Sequence, residues 1–270
     1  MSGARAITVV KLGGALLDDA AALAGVVRTI AAFDGAVIVV HGGGAEVDRR
    51  LAAAGILSEK IEGVRVTPSE AMAEVVAALA GVVNHALVRA LQGAGANAVG
   101  LTLTDGGACA CARKIMPAGL GRVGEVVGGD GALWRTLLDG GFVPVLSSIG
   151  ADADGALNIN ADEAAAGVAK AAGAASLVLL TDVEGVRDAD GRTIASLDAE
   201  RIEQLIAGGV IVGGMAVKCR SAAGAAEASG VPVRIASWRD PAALSDAARG
   251  TVVHGFGGGV GRRRPGVVVG

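Results

Sequence analysis

Aromatic residues are nearly missing from this chain: it has no tyrosine, three phenylalanines and two tryptophans, 2% in all. With 52% of residues hydrophobic, the core has to be built from aliphatic side chains and alanine. Positive charge is not in excess either. The formal net charge is −3, so no basic surface calls for nucleic acid or an anionic membrane. Mean hydropathy is high at +0.55, yet no uncharged apolar run reaches the ~18 residues a membrane span needs. Lys11 interrupts the only early apolar run, so no signal peptide is expected. The three cysteines (Cys109, Cys111, Cys219) are an odd number without metal-site spacing, which favours a reducing cytoplasm. Cys109 and Cys111 fall on one face of a strand and read as small hydrophobes.

Familiar nucleotide and hydrolase signatures are missing too. No GxxxxGK[ST] occurs, which excludes a P-loop. Gly119-Leu120-Gly121-Arg122-Val123-Gly124 has the GxGxxG spacing, but a hairpin-like segment follows it instead of a helix, so a dinucleotide role is set aside. No Ser-His-Asp arrangement can be argued, and His41, His85 and His254 show no ligand spacing. His41 reads as a strand-end residue orienting the loop behind it.

What the chain does have is glycine, 44 residues without period, lying mostly between apolar runs as tight strand–helix connections require. Its 270 residues fit one large α/β domain or two lobes sharing a sheet. Ile7–Leu17 (ITVVKLGGALL) is a β-branched strand that ends in Lys11 and the pair Gly13-Gly14. Such a loop lets backbone approach a ligand while the lysine offers a compact charge; a plain turn beside a surface lysine has the same pattern. A helix over Asp18–Ala32 capped by Asp18 or Asp19 comes next, then the strand Ala36–Val40 running into His41-Gly42-Gly43-Gly44. Pro68 opens a long helix from Ser69 to about Gln92. Strands are expected at Ala98–Leu103, Phe142–Ser147, Leu177–Leu180 and Val231–Ala236, with Thr251–Val253 as an edge strand. A hairpin region reaches to Gly129. Helices are expected at Leu133–Leu138, Ala161–Ala171 and Asp198–Ala207, and Lys218 is expected to open one to Ser229 after a turn at Gly213-Gly214-Met215. Asn160 and Glu163 have capping-box spacing. One continuous, mostly parallel sheet covered on both faces follows, and the glycine- and arginine-rich tail from Gly255 is expected to be disordered.

In an open α/β sheet, ligands collect at the carboxyl ends of the strands, where the glycine turns and the two lysines beside such turns, Lys11 and Lys218, lie. Asp162 sits in the first turn of a helix, where the dipole alone would favour a carboxylate. Asn158 and Asn160 share a face; Asn160 is explained as a cap, which leaves Asn158 as the better ligand candidate. Arg65 is either a surface residue or a bidentate clamp for a carboxylate.

VVKLGGALL, VVHGGGAEVD, GVRVTP, LNINADEAA, LLTDVEGV and GGMAVK occur in this order and together resemble the amino-acid kinase family, and within it the N-acetylglutamate kinases. The similarity runs from about Ile7 to Val253. It implies an α/β fold, an αβα sandwich with a mostly parallel central sheet. Residues 1–172 would form a lobe binding N-acetyl-L-glutamate, residues 173–254 one binding ATP, and residues 255–270 the tail. It also implies ATP-dependent phosphorylation of the γ-carboxylate, the second step of arginine biosynthesis. Lys11 and Lys218 would stabilise the transferring phosphoryl group and Asp162 would hold both lysines. Gly43, Gly44, Arg65 and Asn158 would bind N-acetylglutamate. Gly13, Gly14, Asp182, Val183, Glu184, Gly185, Val186, Arg187, Val210, Ile211 and Val212 would line the nucleotide site. Mg²⁺ would ride on the ATP phosphates, and no protein side chain is expected to ligate a metal. The chemistry agrees: a γ-carboxylate with pKa near ~4.3 is already ionised at neutral pH, so no general base is needed. Positioning and positive potential then carry the rate.

Six-subunit, arginine-inhibited members of that family carry an extra N-terminal helix. Only six residues precede the first strand here, so the expectation is a cytoplasmic homodimer, unresponsive to arginine, joined through the Ala- and Val-rich helix Ser69–Gln92. A sibling kinase for glutamate or carrier-linked aminoadipate is the main alternative, and GVRVTP and LNINADEAA argue against it. A non-catalytic sensor would not need Lys11, Asp162 and Lys218 intact, and a dehydrogenase would rest on the Gly119 match alone.

Overall fold

Valine- and isoleucine-rich strands alternating with helices form the centre of the structure, a computed structural model that describes residues 5–61, 64–240 and 242–255. The strands are β1 (Ile7–Leu12), β2 (Ala36–His41), β3 (Lys60–Ile61), β4 (Val64–Arg65), β5 (Ala98–Leu101), β6 (Cys109–Arg113) and β7 (Val123–Gly129). They continue as β8 (Val143–Ser147), β9 (Ile149–Asp152), β10 (Gly155–Ile159), β11 (Ser176–Thr181), β12 (Ser196–Asp198), β13 (Val233–Ser237) and β14 (Thr251–His254). The helices are α1 (Gly14–Leu17), α2 (Ala20–Ala31), α3 (Gly44–Ala53), α4 (Ser69–Gly93), α5 (Ala132–Asp139), α6 (Ala161–Ala172), α7 (Ala199–Ala207) and α8 (Gly213–Ser229).

Among the described residues, eight strands form the main sheet in the order β12-β14-β13-β11-β1-β2-β8-β5, parallel except for β13 and β14. Alternate residues of β1 enter two different cores. Val9 packs with Ile38, Leu177 and Ile235 against α6 and α8, while Val10 packs with Val39 and Val178 against α2 and α4. Helices therefore cover both faces, and the central strands are buried along nearly their whole length, as a covered parallel sheet demands. The scarcity of aromatics shows in α6, where Ala164, Ala165, Ala166 and Ala169 are buried and let the helix lie close to the strands. Buried Cys109 and Cys219 behave as small hydrophobes: burial pushes their thiols up to about 12 and about 11.

Three expectations need correction. The sheet is not continuous, since β6-β7-β10-β9 form a second, four-stranded sheet and β3-β4 a separate hairpin. β7 is exposed over much of its length and pairs antiparallel with its chain neighbour β6, a contact that needs no crossover helix. Thr251–His254 is not an edge strand: β14 lies between β12 and β13, so the edge is β12. Lys218 does not open its helix either, because α8 begins at Gly213 and carries Lys218 in its second turn. The tail from Phe256 onward, with Glu62, Gly63 and Pro241, lies outside the described residues.

Helix α4 is long and apolar enough, by length and composition alone, to cross a membrane. Its contacts are those of a core helix on one side: Val75, Leu79, Leu87 and Leu91 are buried, and the Asn84 amide donates to the Val145 carbonyl in the sheet. Only 39% of its most apolar window is buried, and Val82 is 47% exposed, so its outer face is uncovered.

Candidate active site

The register of the parallel strands decides what meets what. Leu12 pairs with His41 and Leu180, and Thr181 with Ser237, so the ends of β2, β1, β11 and β13 align at one edge. Loops leaving these ends gather there, at the edge where open α/β sheets bind ligands.

Lys11, Gly13, Gly14, Asp162, Asp182 and Lys218 line one cavity of about 200 Å³. Asp162 is held at the start of α6 because Asn160 caps that helix, its side chain accepting from the Asp162 and Glu163 amides at 2.8 and 3.3 Å. Lys11 Nζ lies 2.8 Å from Asp162 Oδ1, an ion pair outside the angular range of a directed hydrogen bond. Burial works to raise the Asp162 carboxyl, but the Lys11 ammonium beside it and the hydrogen bond from Ser221 outweigh it and hold it below the usual range. A methyl group added at Gly14 would meet no protein atom within 4 Å, so its Cβ position is open.

One expected role changes. Asp162 does not hold both lysines: Lys218 Nζ donates to Asp182, while Asp162 Oδ2 accepts from Ser221 Oγ at 2.7 Å. The reason is position along the helix axis. Lys218 and Ser221 are three residues apart on α8, and Ser221 is the one presented to Asp162. The Lys218 hydrogen bond holds the Asp182 carboxyl below the ordinary range.

Asp182 also lines a second cavity, of about 530 Å³, together with Val183, Glu184, Gly185, Arg187, Val210, Ile211 and Val212. These are residues that the family resemblance assigns to the nucleotide. Val186 is the exception: it is fully buried, and its amide donates to Thr251 Oγ1 at 2.8 Å. Met215, Ser237 and Arg239 line the same cavity unforeseen. Arg239 donates to the Asp182 carbonyl at 3.1 Å, so it braces the junction of the two cavities.

On the opposite side, Arg65 reaches the glycine loop, its guanidinium 3.4 Å from the Gly44 carbonyl. It also donates to Asp48 and Ser58, and that hydrogen bond keeps the Asp48 carboxyl low. Asn158 donates to Thr67 Oγ1 at 2.9 Å, and Thr67 Oγ1 donates to the Arg65 carbonyl at 3.1 Å. Gly44, Arg65 and Asn158 thus belong to one connected cluster. Gly43 is held at φ +152°, and a Cβ there would lie 2.9 Å from Val83 and 3.0 Å from Leu79; only glycine fits. Gly121 of the GxGxxG stretch is likewise structural. At φ +74° it lies against the Thr67 carbonyl, which a Cβ would approach to 2.3 Å.

Chemically, the arrangement offers two ammonium groups, each paired with its own carboxylate, in a small cavity. A larger cavity with an apolar wall adjoins it on one side. Such a site suits transfer of an anionic group between two bound partners.

Comparisons with known proteins agree. Residues 6–237 match the amino acid kinase family. The chain is 42% identical over 241 residues to an acetylglutamate kinase of Moritella profunda, covering 87% of this chain and 90% of that protein. It is 44% identical over 257 residues to an acetylglutamate kinase of Shewanella baltica, covering 94% and 98%. Among solved structures, it superposes on the smu.665 protein of Streptococcus mutans UA159 with TM-score 0.71 at 27% identity, covering 92% of this chain and 98% of that one.

Proposed function

The chain belongs to the amino acid kinase family, and from that premise we propose that it is an acetylglutamate kinase, transferring the γ-phosphoryl group of ATP to the γ-carboxylate of N-acetyl-L-glutamate in arginine biosynthesis. The observation that carries the reading is the small cavity lined by Lys11 and Lys218, each ammonium beside its own carboxylate, Asp162 and Asp182.

Residues 1–172 form the lobe for the amino acid and residues 173–254 the lobe for ATP. The cavity edged by Val210, Ile211 and Met215 takes the nucleotide base and sugar. The cluster of Gly44, Arg65 and Asn158 takes N-acetylglutamate, with the Arg65 guanidinium presented to its carboxylate. The transfer is simple in its bonds. A carboxylate oxygen forms a bond to the γ-phosphorus as the bond to the β–γ bridging oxygen breaks, leaving ADP and an acyl phosphate. The nucleophile is already ionised, so no residue need accept a proton. Lys11 and Lys218 supply positive potential to the equatorial oxygens, which is where the charge of the transition state resides. Mg²⁺ carried by ATP would neutralise part of the phosphate charge, and no side chain of the chain is assigned to hold it.

The uncovered apolar face of α4 supports a homodimer; a monomer mass in light scattering would exclude it. The three free cysteines support a cytoplasmic location. Trapping the product with hydroxylamine tests the reaction itself: an acyl phosphate gives N-acetylglutamyl hydroxamate, and ADP release without hydroxamate would refute carboxylate phosphorylation.

A further inference from the structure

Ser221 is bonded to the site through Asp162, and the reading above gives it no role. Serine in a helix interior commonly bonds back to the carbonyl four residues earlier, and Ser229 of α8 does so, donating to Ala225 at 2.6 Å. Ser221, on the same helix, instead donates across to Asp162 Oδ2 at 2.7 Å, joining residues 59 apart in the chain. The contact matters because of what the other oxygen lacks. Asp162 Oδ1 is buried and has the Lys11 ammonium at 2.8 Å, yet no aligned hydrogen bond. An ion pair fixes distance but not direction, so it leaves the carboxylate plane free to turn about its last bond. A hydroxyl hydrogen bond to the second oxygen supplies that direction.

We infer that Ser221 is a positioning residue: its hydroxyl sets the plane of the Asp162 carboxylate and, through it, the placement of the Lys11 ammonium toward the transferring phosphoryl group. The inference rests on the kinase reading and deepens it. Phosphoryl transfer depends on charges held in advance rather than gathered during the reaction, and α8 contributes two such elements one turn apart, Lys218 as a charge and Ser221 as a brace. Charged groups lining cavities with Asp162 are Lys11 from β1, Lys218 from α8 and Asp182 after β11 on one side, and Lys114, Glu125, Glu163, Lys170 and Arg220 on the other, with Glu163 held by Lys114 at 2.8 Å.

Ser221→Ala and Ser221→Thr in the full chain test this. The alanine variant is expected to lose about tenfold in kcat, the scale of one hydrogen bond to a charged group, while KM for ATP and for N-acetylglutamate stays within about twofold. The threonine variant, which keeps the hydroxyl, is expected to recover most of the loss. A carboxylate that has lost a donor protonates more easily, so the ¹³C-detected titration of Asp162 should move to higher pH in Ser221→Ala, whatever the activity. Unchanged kcat, a change confined to KM, or an unmoved Asp162 titration would overturn the inference. A wild-type chain that releases no ADP with N-acetylglutamate would instead refute the functional reading, and the carboxyl titration would still decide the role of Ser221.

Discussion

Lowering the pH from 7.5 to 5 should loosen this fold at His41, and the structure sets the size of the effect. His41 ends β2, fully buried, with Nδ1 2.8 Å from the Gly42 carbonyl and Nε2 3.0 Å from the Asn84 amide nitrogen. Asn84 also donates to the Val145 carbonyl at 2.9 Å, so its NH₂ group faces the ring, and Nε2 must be the accepting nitrogen. Protonating Nε2 would set two donors against each other and bury a charge. Burial accordingly lowers the His41 pKa from 6.5 to about 4, against the weaker upward pull of the Gly42 carbonyl. The folded value is the depressed one, so the unfolded chain binds the proton first. Stability is then complete above the unfolded pKa and is lost as pH falls from about 6.5 toward 4. Linkage gives a loss of about 2 kcal/mol by pH 5 and about 3 kcal/mol once the folded pKa is passed. Guanidinium unfolding of wild type and His41→Gln at pH 7.5 and 5.0 isolates the term, since the remaining groups are common to both. The wild type should lose about 2 kcal/mol more than the variant. Equal losses, or an NMR titration of His41 near the unperturbed histidine value, would refute the reasoning.

Lys218→Ala should fold normally, because its side chain is partly exposed and paired only with exposed Asp182. Its kcat should fall ~10²-fold or more, the scale of one preorganised charge, whereas normal turnover in a folded variant would remove Lys218 from the mechanism. Arg65→Ala should raise KM for N-acetylglutamate much more than it lowers kcat, and a wild-type KM would end its assignment as substrate clamp. Gly43→Ala should destabilise by roughly 1–3 kcal/mol through strain at φ +152° and collision with Val83 and Leu79. Gly14→Ala, whose methyl meets no protein atom within 4 Å, should keep its Tm and lose ATP affinity; the reverse order in thermal melts would show the two glycines misread.

How far the sequence could be read follows from how local each feature is. The strand–glycine–helix passages at Lys11–Gly14 and His41–Gly44 are written in consecutive residues, as is the Asn160 cap, and all appear where expected. Gly213-Gly214-Met215 reads as a glycine turn in the sequence, but the cost of glycine at a helix start is small, and α8 begins there. Pairings across long stretches left no local mark. Nothing near Lys218 announces Asp182, 36 residues away, and nothing near Asp162 announces Ser221. The second sheet is invisible for the same reason: β7 joins β10 through Val123 opposite Asn158, across an intervening helix and two strands. Val186 stood in a motif otherwise facing the cavity, and only the packing of the loop turns it inward. Helical spacing did hold one usable clue, since a serine three residues after a site lysine shares its face.

The central claim is that N-acetyl-L-glutamate is the acceptor, and steady-state ADP release with N-acetyl-L-glutamate, L-glutamate and N-acetyl-L-aminoadipate at equal ATP and Mg²⁺ tests it most directly. The account predicts that kcat/KM for N-acetyl-L-glutamate exceeds the other two by at least about 10²-fold, since a site built around Arg65 and Asn158 for the acetylated amino acid leaves polar groups unpaired with glutamate, and an added methylene displaces the reacting carboxylate from its place. Equal or higher kcat/KM for glutamate or N-acetyl-L-aminoadipate would contradict it.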